Sequence, residues 1–393
     1  MEGDYIKIYE WLKPLSWIYG VVVGIRNWLF DIGLLKSRAY SVPIISIGNI
    51  TVGGAGKTPH VEHLVRLLQD KIKVAVLSRG YKRKTRGYQL ADADSTVETI
   101  GDEPYQMMKK FPNIFVATDK KRRRGIERLT GDETTHDVDA ILLDDAYQHR
   151  YVKPGVNILL VDYHRLIIYD RLLPAGRLRE SARGKRRADI VIITKCPRDL
   201  KPMEYRVLTK TMGLFPYQGL YFTTLEYDAL KPLFPEEGKA EFANASDVSA
   251  QNILLLTGIA SPKQMEQDVL TELKPLSLKT LTYADHHYYK DKDVRQINEV
   301  FSEMPEPRII VTTEKDAARL YDVSGLSDDV RRNIYALPIR IRFMLDQEDS
   351  FNNKIISYIQ KNSRNSILVK TKDELKPKKN DTQEHSSNKI IFR

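Results

Sequence analysis

Residues 45–59 read ISIGNITVGGAGKTP, and the architecture follows from this stretch. An apolar run at 43–47 predicts a buried strand, the glycines at 48, 53, 54 and 56 predict a turn, and the pattern at 60–68 predicts a helix. Glycines let such a turn curl until successive N–H groups point at one anion, and the helix adds the partial positive charge of its N-terminus. Lys57 is then placed to neutralise β and γ phosphates, and Thr58 to offer a hydroxyl to a divalent cation. The strict GxxxxGK[ST] pattern opens on glycine, where this chain has Thr51. Thr51, Val52, Gly53, Gly54, Ala55, Gly56, Lys57 and Thr58 are expected to cradle the phosphates of a nucleotide.

Working outward, apolar β-branched runs at 74–77, 114–116, 140–143, 157–161 and 190–194 alternate with polar stretches of helical length. Strands that are apolar throughout belong in a parallel sheet covered on both faces, with the ligand beyond their carboxyl ends. The run at 138–143 ends in Asp144-Asp145, the place for carboxylates on the metal side of a phosphate loop. Adjacent carboxylates repel unless a divalent cation bridges or flanks them. A solvated turn would carry the same pair, but the run before it is too apolar for that reading. His149 follows four residues on and could reach the metal shell or a substrate, although a single histidine is more often structural.

The texture changes near residue 200. YFTTLEY at 221–227 and YALPIRIRF at 335–343 alternate like exposed strands, and a second set of α/β signals lies between them, with strands at 253–256 and 308–311. The expected fold is α/β: a P-loop NTPase-like α/β/α sandwich at 41–220 and a smaller α/β domain at 221–345, joined by a two-stranded connector. A C-terminal helix is expected at 346–369 and a disordered, Lys-, Asp-, Asn- and Ser-rich tail at 370–393.

Lys and Arg number 62 against 52 Asp and Glu, a net charge of +10 that suits an anionic partner without choosing one. The single cysteine, Cys196, excludes an intrachain disulfide and any four-thiolate zinc site, and a reducing compartment is expected. Residues 1–40 are expected to form a membrane-associated helical segment. The stretch 15–35 is rich in Trp, Ile, Val and Leu, but Arg26, Asn27 and Asp31 interrupt it, and its unbroken apolar run at 17–25 is well short of the roughly 20 residues of a spanning helix. No small-residue cleavage site follows, so a signal peptide is not expected. An amphipathic helix lying in a membrane interface fits better than one that simply packs on the main domain. Trp11, Trp17, Trp28 and Tyr19 would sit at headgroup level, and Lys7, Lys13, Arg26, Lys36 and Arg38 would face anionic lipid.

Nine segments, read together, resemble the tetraacyldisaccharide 4'-kinase family: ISIGNITVGGAGKTP (45–59), LSRGYKRKTRG (77–87), GDEP (101–104), DDAYQHR (144–150), LLPAGRLRE (172–180), ADIVIITK (188–195), LTGIASP (256–262), DHHYY (285–289) and VTTEKDAARL (311–320). They stand in the family's order, and Thr51 in place of glycine is part of the match. The resemblance implies a kinase that uses ATP and Mg²⁺ to phosphorylate the 4' hydroxyl of the tetraacyl glucosamine disaccharide 1-phosphate precursor of lipid A. It implies work at the cytoplasmic face of a bacterial inner membrane, with that lipid and the membrane surface as partners and no nucleic acid. By the same resemblance Asp102 is the catalytic base, His286 assists it, and Lys57 and Arg179 stabilise phosphate charge. Glu180 would contact the nucleotide, and Asp144 and Asp145 would hold Mg²⁺ with Thr58 and Glu103. Taken alone, Asp102-Glu103-Pro104 is also an ordinary helix start, and His286-His287 an ordinary surface pair.

A deviant-Walker partitioning ATPase, bound to membrane or nucleoid, is the alternative class, since its loop also reads GGxGKT. That loop carries a signature lysine before the paired glycines, where this chain has Val52. A GTPase is disfavoured because no DxxG follows Asp144 and Thr194-Lys195-Cys196-Pro197 lacks the acid that reads guanine. A nucleic-acid-binding module would account for the charge and leave the strand–loop–helix unit without purpose.

Overall fold

The computed structural model describes residues 8–237, 242, 248–259 and 262–374, with backbone alone for 363–374. Nine strands make one sheet and five a second. In chain order they are β1 (Ile44–Gly48), β2 (Val74–Ser78), β3 (Gln89–Leu90), β4 (Phe115–Thr118), β5 (Ala140–Asp144), β6 (Val156–Asp162), β7 (Ile190–Thr194), β8 (Gly219–Tyr227), β9 (Lys231–Pro232), β10 (Asn252–Thr257), β11 (Ser277–Thr282), β12 (Arg308–Thr313), β13 (Ile334–Leu337) and β14 (Ile339–Phe343). The first sheet runs β14-β8-β7-β6-β1-β5-β2-β4-β3, parallel from β8 to β4 with an antiparallel strand at each edge. Every residue of β1, β2, β5 and β7 is buried, which is why these strands read apolar without alternation. All six strands expected between 43 and 194 are present; the short edge strand β3 has no signal in the sequence.

Helices cover both faces. On one, α2 (Lys57–Leu68) sets Val61, Leu64, Val65 and Leu68 into a core shared with β1, β2 and β6 and with Phe351, Ile355 and Ile359 of the Glu348–Glu374 helix. On the other lie Ile126 and Leu129 at one end and Tyr205, Leu208 and Met212 at the other. The tail beyond 374 lies outside the described residues.

The expected two-stranded connector is present and is built into the edge of the first sheet. β8 and β14 do pair antiparallel, from Tyr227 opposite Ile339 to Thr223 opposite Phe343, but β8 also pairs with β7, so the two strands form the edge of the first sheet. The run 335–343, however, is not one strand. Pro338 has no N–H to give a ladder, and the run parts there, β13 joining β12 in the second sheet and β14 returning to the first. The chain thus crosses outward at 228–230 and back over a single residue, and the Asp228 N–H donates to Pro338 O at 3.0 Å where the crossings meet. The second sheet runs β11-β10-β12-β13-β9, parallel except for β9.

His60 fastens the phosphate-loop helix to this frame. Its Nδ1–H donates to Gly56 O at 2.7 Å, so Nε2 accepts from Thr223 Oγ1 of β8 at 3.0 Å. Gly56 holds a φ of 74°, the left-handed region that a side chain would strain. Burial pushes the His60 imidazole down to about 4. An unfolded chain takes up this proton below about 6.5, and the folded one resists it until about 4, so His60 lowers stability as pH falls across that window. Thermal unfolding of His60→Gln, followed from pH 4 to pH 8, should fall less steeply on the acid side than wild type; equal slopes would show that the buried imidazole is not responsible.

Candidate active site

The loop after β1 is held by the segment at 177–179. Arg179 N donates to Ile50 O and Val52 N to Arg177 O, each at 2.8 Å, and Thr51 forms an antiparallel bridge with Leu178. Thr51 therefore sits in extended backbone where a β-branched residue fits and glycine's freedom is not needed. The left-handed turns fall to Gly53 and Gly56, at φ 120° and 74°. Lys57 and Thr58 then begin α2, and Thr194 at the end of β7 donates to Ala55 O at 3.1 Å.

Asp144 ends β5 beside this loop and Asp145 follows it, the two in opposite electrostatic states. Burial works against ionisation of Asp145, but the cations of Lys57, Arg179 and Arg122 outweigh it and hold the carboxyl below its usual range. Lys57 Nζ lies 3.5 Å and Arg179 Nη1 3.7 Å from Asp145 Oδ1. Asp145 itself takes a left-handed φ of 46°, which costs a non-glycine residue on the order of 1 kcal/mol. Asp144 is pushed up to about 7, by burial first and then by the negative charges of Glu103 and Asp145. Ser78 Oγ donates to Asp144 Oδ2 at 3.3 Å, whereas Oδ1 is buried with no donor.

A buried carboxylate oxygen lacking a donor fits a divalent cation. Thr58 lies in the first turn of α2, directly after the loop, and Asp145 follows Asp144 in the chain. Glu103 contributes charge to Asp144 but is itself held by Lys315, whose Nζ is 2.6 Å from Glu103 Oε1. Among the described residues no three His, Cys, Asp or Glu side chains are already gathered into a metal cage. Two or three protein oxygens completed by phosphate oxygens is the coordination that Mg²⁺ favours.

Asp102 is the first residue of α4 (Asp102–Lys110), with Gly101 as its cap at φ 97°. A Cβ on Gly101 would stand 3.1 Å from Tyr81 O, so the approach to Asp102 leaves no room for a side chain. The Asp102 carboxylate is 2.6 Å from His286 Nδ1, which belongs to the second sheet's side of the molecule and holds a φ of 60°. The two residues that the sequence paired are thus in contact, 184 positions apart. Arg319 had no role in that reading. Its Nη2 donates to the same Asp102 Oδ2 at 2.6 Å and its Nη1 to Asp316 Oδ1 at 2.9 Å. Burial raises the Asp102 carboxyl, but hydrogen bonds from His286 and Arg319 more than reverse this and leave it far below the usual carboxylate range. The only signal for Arg319 was its place in VTTEKDAARL, three residues after an aspartate on one helical face.

The remaining expected residues flank a cavity of about 470 Å³ between the N-terminal helix and the loop, lined among others by Tyr19, Val52, Arg79, Asp145, His149 and Arg179. Burial, then the cations of Arg122, Arg79 and Arg26, push His149 down to about 4, so it faces this cavity as a neutral imidazole. Both oxygens of Glu180 are engaged, by Asn27 Nδ2 at 3.0 Å and Arg187 Nη2 at 2.8 Å, so a nucleotide contact there would displace one of them. Tyr19 and Arg26 do not point where a lipid-facing role would need them. The Tyr19 hydroxyl donates to Arg179 O at 2.8 Å and Arg26 Nη2 to Gln148 O at 3.1 Å, both inward. Lys7 lies outside the described residues.

Residues 8–360 match the family described as tetraacyldisaccharide-1-P 4'-kinase, LpxK. The chain is 53% identical over 369 residues to the tetraacyldisaccharide 4'-kinase of Phocaeicola vulgatus, covering 93% of this chain and 99% of that one. Identity to the protein of the same name from Bacteroides thetaiotaomicron is 51%, over 93% of this chain and 97% of the relative. In Flavobacterium johnsoniae it is 42%, over 89% and 97%. The fold is similar to the crystal structure of the "apo" form of LpxK from Aquifex aeolicus in complex with ATP, with a TM-score of 0.69, 29% identity and coverage of 88% of this chain and 98% of that one.

The raised Asp144 carboxyl has a consequence for stability. Its folded value, about 7, exceeds the unfolded 3.8, so the folded state binds this proton more tightly and loses that advantage as pH rises from about 4 to above 7. Asp144→Asn, which cannot ionise, should melt about 3 °C or more above wild type at pH 8 without ligands, with the gap narrowing as pH falls toward 4. A pH-independent difference would rule out this origin.

Proposed function

Because the chain belongs to the tetraacyldisaccharide-1-P 4'-kinase family, we propose that Asp102 and His286 form the dyad that accepts the proton of the sugar hydroxyl. The protein is an ATP-dependent kinase acting on the 4' hydroxyl of the tetraacyl disaccharide 1-phosphate precursor of lipid A. A partitioning ATPase is not favoured. The reading of the dyad rests on one observation, the 2.6 Å contact between Asp102 and His286 from the two sides of the molecule.

Phosphoryl transfer asks little covalent chemistry of a protein and much positioning. Mg²⁺, when bound with ATP, neutralises charge on the β- and γ-phosphate oxygens; Asp144 and Thr58 would hold it, with Asp145 beside them. The Lys57 and Arg179 contacts to Asp145, at 3.5 and 3.7 Å, are longer than the roughly 2.7–2.9 Å of a tight charged hydrogen bond. From these long contacts both cations would turn onto phosphate oxygens, Arg179 also leaving its 3.4 Å contact with Gln148 Oε1. We place the kinase domain on the first sheet, chiefly residues 41–227 with β14 returning to it, and the second domain on the second sheet, about residues 228–338, with His286 supplied by the latter.

The N-terminal helix α1 (Lys13–Asp31) supports attachment to a membrane surface. It docks through polar atoms: Ser16 Oγ donates to Leu172 O at 3.0 Å, Tyr19 binds Arg179 O, and Asn27 binds Glu180. Its opposite face exposes Trp17, Ile18, Val21, Val22, Ile25 and Trp28. A helix that turns polar atoms inward and apolar ones outward is the inverse of an ordinary surface helix and fits the interfacial region of a bilayer. Among the described residues no helix is long and apolar enough to cross a membrane. The cytoplasmic face of the inner membrane is the side where ATP is present.

Two experiments test this. Incubating the protein with Mg·ATP and tetraacyldisaccharide 1-phosphate in detergent should yield a product with one more phosphate; Asp102→Ala should cut turnover by about 10²–10⁴-fold with ATP binding largely retained, and Lys57→Ala should impair both. Turnover unchanged in both variants would refute the site. For the membrane, the triple change Trp17→Ser, Val21→Ser, Ile25→Ser should free most of the protein from co-sedimenting anionic phospholipid vesicles, and full retention would move the anchor elsewhere.

A further inference from the structure

We propose that a cationic cavity between residues 182–186 and 213–215, outside the active site, binds a phosphate group. The choice of an anionic lipid as the source of that phosphate rests on the membrane reading of α1 above; the cavity itself does not.

The cavity holds about 290 Å³ and is lined by Ala182, Arg183, Lys185, Arg186, Gly213 and Phe215, which include three cations and no acid. Arg187, next in the chain, is paired with Glu180 at 2.8 Å, but among the described residues Arg183, Lys185 and Arg186 have no carboxylate in ion-pair contact. The two segments are pinned to each other. Gln218 Nε2 donates to Lys185 O at 2.8 Å and to Ala188 O at 2.7 Å, and its Oε1 accepts from Phe215 N at 3.0 Å. Tyr217 Oη donates to Arg186 O at 2.9 Å, its ring stacks on Phe215 at 5.6 Å, and the Arg186 guanidinium lies over the same Phe215 ring at 5.7 Å. Lys185 Nζ donates to Met212 O at the end of the Pro202–Met212 helix. Capping that helix accounts for one N–H of the ammonium and leaves two more, with the charge. Burial, and then the charge of Arg186, lowers the Lys185 ammonium from its ordinary value, a strain that an anion would relieve. Arg183 has no structural task of this kind: it is exposed, and its guanidinium has no hydrogen-bond partner among the described residues. Two guanidinium forks and an ammonium around one cavity suit a phosphate, whose oxygens accept paired N–H groups.

The surroundings favour a lipid as the source. Phe215 and Tyr217 stand 40% and 59% exposed beside the cations, and aromatic rings next to Lys and Arg are the composition that sits at the headgroup level of a bilayer. The cavity is also close to α1, because Arg187 holds Glu180 and Glu180 holds Asn27 of α1 at 3.0 Å. Trp28, the next residue of α1, is exposed. A single apolar element attaches a protein to a bilayer weakly, and an ionic contact with anionic headgroups makes the attachment firm. The phosphate loop at 51–58 contributes no residue to this cavity, so the two phosphate sites are separate.

The test compares the double change Arg183→Gln, Arg186→Gln with wild type on two kinds of vesicle, phosphatidylcholine alone and phosphatidylcholine with about 30% phosphatidylglycerol. Binding to the anionic vesicles should weaken about tenfold or more, and binding to the neutral ones, carried by α1, should stay within about twofold. Inorganic phosphate at about 10 mM should displace wild type from the anionic vesicles more than sodium chloride of equal ionic strength, and the two salts should act alike on the variant. A wild type that does not distinguish the salts has a diffuse charge and no site, which overturns the proposal. Unchanged binding to anionic vesicles, with loss of part of the rise in Tm that inorganic phosphate gives wild type, keeps the site and assigns it to a free phosphate compound. No change in either measurement overturns it. A KM for the lipid substrate raised about tenfold in pure detergent would put these arginines in the acceptor's own site and also overturn it. Arg183→Gln alone leaves the Phe215 stack intact and should lose about threefold on anionic vesicles, which serves if the double variant does not fold. The triple change on α1 separates the two readings. If it frees the protein from neutral vesicles while the cavity variant binds anionic ones like wild type, only the cavity fails. If it leaves neutral binding intact while the cavity variant still loses the anionic vesicles, the cavity stands and the reading of α1 fails.

Discussion

A buried carboxylate and a buried guanidinium 2.6 Å apart, Asp102 and Arg319, join the two sheets at the site. Removing both charges from water costs several kcal/mol for each, so such a pair persists only where further partners satisfy both ends. Here they do, through His286 and the Glu103 N–H on one side and Asp316 and Gly258 on the other. The Glu314–Leu320 helix, which carries Arg319, makes two more crossings: Lys315 to Glu103 at 2.6 Å, and Glu314 to Lys110, which also binds Glu62 of α2 at 2.7 Å. One two-turn helix thus meets the first and last residues of α4 and, through Lys110, the phosphate-loop helix. The position of Asp102 at the head of α4 depends on this charge match.

Much of the first sheet was legible because its strands are buried on both faces and leave an unbroken apolar record. The loop was legible because only glycine serves at the φ values of positions 53 and 56, and Asp144 because a carboxylate directly after ILL has no surface turn to explain it. Arg319 was not. Its partner is 217 residues away, and an Asp-x-x-Arg pair on a short helix looks like any solvated ion pair until burial is known. The run 335–343 misled for a different reason: alternation records which face is wet and not which sheet a strand joins, and the division fell on Pro338. The position of Thr51 became intelligible only with its bridge to Leu178, a contact between loops that no local pattern encodes.

Segment 172–180 links features that are far apart in sequence. Its carbonyls at Leu172 and Arg179 receive α1, the Arg177 carbonyl and Arg179 N–H zip onto residues 50–52, and the Arg179 guanidinium reaches Asp145. The helix with the outward apolar face is therefore one short strand away from the phosphate loop. Gly20 allows the close approach, since a Cβ there would stand 2.8 Å from Leu172 Cδ1. A kinase whose acceptor carries acyl chains has reason to keep an outward apolar face and its phosphate loop this near.

The unpartnered Oδ1 of Asp144 bears on how the nucleotide complex would respond to its surroundings. A carboxyl that holds its proton up to about 7 must lose it before a cation can take that oxygen, so forming the Mg·ATP complex near neutrality would expel a fraction of a proton into the medium. The measured heat of association would then change with the ionisation enthalpy of the buffer. Proton and cation would then contend for a single oxygen atom that no donor in the fold covers.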